Sequence, residues 1–128
     1  MNGKLIQAAS AILMLASLGG CASAPPYQRP TFYGVDMIRD KQGHGRGEAT
    51  GQMADAQCRE SLSRDAQTFV TRGIMMGIAV GPNDSAIYFD NHYPTCMRAL
   101  GYAIQTSEAE RDQALDFYNK QARGQATP

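Results

Sequence analysis

Hydrophobic and polar positions alternate with different rhythms along this chain. Residues 5–18 form a nearly continuous apolar run, too short for the roughly 20 apolar residues of a membrane-spanning helix. From Gln52 the rhythm becomes helical. Cys58, Leu62, Ala66, Phe69, Gly73 and Gly77 recur at steps of three and four and form one stripe, with Arg59, Glu60, Ser63, Arg64, Thr68 and Arg72 off it. The pattern predicts a helix from about residue 51 to residue 76, with Glu60 and Arg64 as an i,i+4 ion pair in the favourable order. Its end reads "GIMMGIAVGPND". Gly73, Gly77 and Gly81 lie four apart, a spacing that opens a groove for a neighbouring backbone, although each interior glycine costs about 1 kcal/mol against alanine. We expect Gly73 and Gly77 on the inner face, against the last helix or the region of Tyr102.

Two short helices are predicted next. One is capped by Asp84 or Ser85 and passes through Ile87, Tyr88 and Phe89; the other covers residues 93–100, with Pro94 in its first turn and Gly101 at its left-handed end. Ser107 and Glu110 make a capping box for a last helix, on which Ala114, Leu115, Tyr118 and Ala122 share a face and Asp116 pairs with Lys120 outside. A short strand or turn fits residues 33–38. Gly43, Gly45 and Gly47 argue against a stable element after Lys41.

The first apolar run has a basic residue before it, Lys4, and small residues after it, the pattern of a secretory signal peptide. Leu18-Gly19-Gly20-Cys21 resembles the lipobox of bacterial lipoproteins. That resemblance implies removal of residues 1–20 and lipidation of Cys21, with palmitate among its acyl chains. It also implies anchorage in the cell envelope, and the absence of Asp after Cys21 favours the outer membrane. Two or three chains hold where one gives only reversible binding. Residues 21–34 then form a lipidated, Pro-rich tether (Pro25, Pro26 and Pro30), residues 35–123 a small helical domain and residues 124–128 a loose tail. The expected fold class is mainly α, with one disulfide after a flexible tether.

About 108 residues remain after cleavage, enough for one domain whose core alone is marginal. Without Lys4, 11 basic residues face 12 acidic ones, and no basic patch points to nucleic acid. Cys58 and Cys96 form an even pair in an oxidising compartment. A disulfide is the default reading, over a metal pair or a free nucleophile, because the two have no CxxC spacing and Cys58 has no nearby His.

"CMRALGY" resembles the ending of small bacterial lipoproteins of the glycine-zipper type. Their recurring order is matched by Cys21, Val35-Asp36, Asp55-Ala56-Gln57-Cys58, Gly73/Gly77/Gly81 and Cys96-Met97 through Gly101-Tyr102. The glycine run is shorter than the family's and contains Met and Ile, and the helix after Ser107 passes the family's usual end. The resemblance implies an envelope lipoprotein with a disulfide and no known activity.

Candidate chemistry is sparse. Asp90 and His92 lack a third metal ligand at suitable spacing, so His92 reads as a solvent-facing loop residue and His44 as a flexible surface one. Met37, Met53, Met75, Met76 and Met97 have no clustered copper-binding spacing and read as core filler. The glycines at 43, 45 and 47 lack the strand and the Lys-Ser/Thr of a phosphate loop. No catalytic residue, metal or cofactor is expected. The sequence points to a lipid-anchored envelope protein with a structural or interaction role, held to the membrane through its N-terminal lipid and meeting an envelope protein. The alternative is a periplasmic ligand binder or an inhibitor of a soluble envelope enzyme. A bare apolar surface around Gly73–Gly81 would imply a partner.

Overall fold

The computed structural model describes residues 25–124; the signal segment, Cys21 and residues 125–128 lie outside the described residues. Five elements follow in order: β1 (Tyr33–Asp36), α1 (Glu48–Met75), α2 (Asp84–Ala99), β2 (Tyr102–Gln105) and α3 (Glu108–Ala122). The domain is mainly helical. None of the described helices is long and apolar enough to cross a membrane.

The core is the seam between α1 and α2. Ala54, Cys58, Leu62 and Ala66 face inward from α1 at steps of four. Phe89, Tyr93 and Met97 do the same from α2, again at steps of four. That continuous stripe explains a departure from the sequence reading. Instead of two short helices there is one, running through Pro94 at its eleventh position. Proline forfeits one backbone hydrogen bond there, and the burial of three large side chains on either side of it holds the helix together. Cys58 is fully buried and joined to Cys96, with Cα atoms 5.9 Å apart, so the one disulfide lies inside the seam. Leu62, Met97 and Tyr102 belong to the same buried cluster.

β1 and β2 pair antiparallel, Tyr33 opposite Gln105 and Asp36 opposite Tyr102. α3 packs on these two strands. Its start keeps the N-cap half of the expected capping box, the Ser107 hydroxyl accepting from the Glu110 N–H at 3.2 Å. The ion pairs Glu60–Arg64 and Asp116–Lys120 both form on exposed surfaces.

The tether reading for residues 21–34 is corrected over its second half. The Tyr27 hydroxyl and the Arg29 guanidinium both donate to buried Asp90 on α2. Phe32 lies against Tyr93 with ring centroids 4.8 Å apart, and β1 begins one residue later. The prolines keep this stretch extended, and its aromatic and charged side chains then dock it along α2.

Candidate functional site

The glycine-rich turn, residues 37–47, is organised by one carboxylate. Asp36 is buried at the end of β1 and accepts from the N–H groups of Ile38 (2.9 Å) and Arg46 (2.6 Å) and from the Arg46 guanidinium (3.1 Å). Desolvation alone would raise its pKa. The hydrogen bonds from the Arg46 side chain, the Arg46 N–H and the Ile38 N–H outweigh it, and the carboxyl titrates below its ordinary value. Arg46 also donates to the carbonyls of Leu100 and Gly101 and lies 4.4 Å from the centroid of the Tyr102 ring. It therefore ties the turn, β1 and the end of α2 together.

Two glycines make room for this pair. A Cβ on Gly45 would meet Asp36 Oδ2 at 2.9 Å, and one on Gly101 would meet Arg46 Nη2 at 2.9 Å. Gly101 also sits at φ +88°, where glycine is favoured. The Gly-rich stretch is thus a tied turn. His44 within it is exposed, and its N–H and ring both bond Asp40.

This turn forms one wall of an open cleft of about 710 Å³, whose other walls come from α1, α2 and the two strands. Gln52, Asp55 and Arg59 line it from α1, and Tyr93 and Met97 from α2. Arg59 Nε lies 2.9 Å from both Asp55 oxygens, and the Tyr93 hydroxyl donates to the same carboxylate. Burial, with the bond to Asp55 next, pushes the Tyr93 pKa up to about 12, so the phenol stays a neutral donor. Asp36 and Asp55 each already hold an arginine. The walls offer hydrogen-bonding groups and aromatic edges with their carboxylates engaged.

The structure brings together Cys58 and Cys96 and disperses the three glycines. Gly73 closes the last turn of α1, where a Cβ would meet Val80 Cγ2 at 3.1 Å. Gly77 lies past the helix end at φ +73°, with no described residue within 4 Å of where a Cβ would stand, and Gly81 sits beside Asp84. The expected packing of Gly73 and Gly77 against the last helix or the region of Tyr102, with Gly81 continuing the groove, is therefore replaced by a helix terminus. The Ile78 N–H bonds the Gly73 carbonyl (2.9 Å) and the Gly77 N–H bonds that of Ile74 (3.0 Å), the paired bonds of a Schellman ending. Four-residue glycine spacing is shared by the two arrangements.

His92 lies on α2, not in a loop. It is exposed and stacks on Tyr88 at 4.1 Å, while both oxygens of its neighbour Asp90 are taken by Arg29. Among the described residues, no three His, Cys, Asp or Glu side chains converge on a point where a metal ion would sit. Met97 is core, as expected, but Met53, Met75 and Met76 are exposed, which corrects their reading as core filler. The sequence reading missed the Asp36–Arg46 tie and the cleft triad. An Asp-x-x-x-Arg spacing at 55 and 59 was its one visible signal. No protein-family model, curated protein or solved structure matches the chain.

Proposed function

We propose that this is a lipid-anchored cell-envelope protein whose helical hairpin is an interaction element. The observation that carries the reading is Leu18-Gly19-Gly20-Cys21 at the end of a short apolar run behind Lys4. A contact role is supported by the surface around Gly73–Gly81, where Ile74, Met75, Met76 and Ile78 are exposed while α3 packs on the strands instead. Mass spectrometry of protein taken from cells should find Cys21 as the first residue, bearing lipid, and Cys21→Ser should leave an unprocessed precursor. An unmodified residue 1 in the mature protein rejects the reading.

The second reading, a binder of a small polar ligand, is supported by the open cleft beside Asp55 and Tyr93. Native mass spectrometry should then reveal a copurifying small molecule whose retention falls in Gln52→Leu. Loss of the ligand with Gln52 intact, or none at all, counts against it.

A further inference from the structure

We propose that the tip of the α1–α2 hairpin docks into the headgroup layer of a lipid bilayer. The inference rests on the envelope-lipoprotein reading for the bilayer that lies close to it. At this end of the molecule Phe69, Ile74, Met75, Met76 and Ile78 are between 52% and 82% exposed. Apolar side chains in one such group mark a contact surface.

Low charge lets lipid be the occupant. Across residues 67–83 the only charged side chain is Arg72, which makes no ion pair among the described residues. Asp84, at the start of α2, is the acid beside it, and its carboxylate is held by the Gly81 N–H, so the tip carries no net charge to oppose the surface of a membrane.

The backbone is prepared for a less polar medium. The Met76, Gly77 and Ile78 N–H groups satisfy the carbonyls of Arg72, Ile74 and Gly73, and the Asp84 carboxylate accepts the Gly81 N–H at 2.6 Å. These polar groups need no water when the tip enters the interface.

The described part of the N-terminal segment leads toward the tip. Phe32 packs against Tyr93, Arg29 lies over Phe89 one helical turn nearer the tip, and Tyr27 bonds Asp90 at that same level. Arg29 lies eight residue steps from Cys21, a reach of at most about 28 Å. From Phe69, level with Tyr88, to the end of α1 is only about 9 Å of helix rise. A lipid on Cys21 and the apolar tip can therefore meet one surface.

The chain contains no tryptophan, so Ile78→Trp supplies a single reporter at the tip, Met75→Trp a second, and Phe117→Trp on α3 a control. Each intact protein is reconstituted in vesicles of phosphatidylethanolamine and phosphatidylglycerol with brominated acyl chains. The tip variants should emit to the blue of their detergent-free, lipid-free state and be quenched at least about twofold more than Phe117→Trp, as expected for side chains several ångströms into the interface. Equal quenching at all three positions, or none at the tip, overturns the proposal. A blue shift without bromolipid quenching that fades on dilution assigns the tip to a second copy of the chain and overturns it too. Quenching at the tip of a protein whose Cys21 carries no lipid would reject the anchor reading and leave docking standing; a lipidated Cys21 with an unquenched tip rejects docking alone.

Discussion

Gly77 offers the sharpest test of how the helical hairpin turns. It holds φ +73° with open space where a side chain would go, and the Schellman bonds on either side fix it there. A non-glycine residue in the left-handed region costs about 1–2 kcal/mol, and the entropy that a side chain removes from the unfolded chain returns about 0.4–1 kcal/mol of it. Gly77→Ala should therefore destabilise by about 1 kcal/mol, lowering the melting midpoint by about 4–8 °C for a domain of this size. Gly77→Leu should cost about the same, because no described residue stands within 4 Å of the new Cβ. Gly77→Asn should cost less, since asparagine tolerates this conformation. Thermal melts followed by circular dichroism decide. If the leucine variant loses about 2 kcal/mol more than the alanine variant, the site is a close-packed contact and the terminus assignment is wrong. A stabilised alanine variant would refute the backbone reasoning itself.

Replacing both Cys58 and Cys96 by alanine should remove about 4 kcal/mol in the chain-entropy account of a loop closed across 38 residues, seen as a fall of about 15 °C or more in the midpoint; an unchanged midpoint would contradict it. Asp36 has a lowered folded pKa, so its ion pair stabilises above about pH 4 and that stability is lost as pH falls through the folded value. Asp36→Asn should cost about 1.5–3 kcal/mol at neutral pH and flatten the acid limb of the stability profile, and a steep limb retained in the variant would assign it elsewhere. The Tyr102 hydroxyl is buried with no hydrogen-bond partner among the described residues, so Tyr102→Phe should leave stability unchanged or raise it by up to about 1 kcal/mol in urea unfolding, while a clear loss would reveal a partner.

What could be read in the sequence was what repeats or sits close by. The four-residue recurrence of Cys58, Leu62 and Ala66 located the inner face of α1, and Ser107 with Glu110 located the start of α3. Both signals are local because both are helical. Phe69 continued the same recurrence yet ends half-exposed, because its partner Tyr88 lies on the outer side of α2. A lone proline such as Pro94 favours a helix start, whereas the Phe89–Tyr93–Met97 stripe sets the helix from both sides of it.

The rest depended on side chains distant in the chain. Asp90 binds Tyr27 and Arg29 across more than sixty residues, and neither composition nor spacing connects them. Glycines show this most clearly. Those at 45 and 101 stood out as breaks in the pattern, and they read as loose turn and helix end. Each is in fact the empty space beside one half of the Asp36–Arg46 pair. The sequence shows that a side chain is missing at those positions, while the reason belongs to a neighbour nine residues away in one case and fifty-five in the other. Gly77 reverses the relation: its four-residue spacing suggested a neighbour pressed close, and its reason is its own backbone angle. A glycine motif therefore has to be divided between these two causes position by position, by asking whether the space above each Cα is filled.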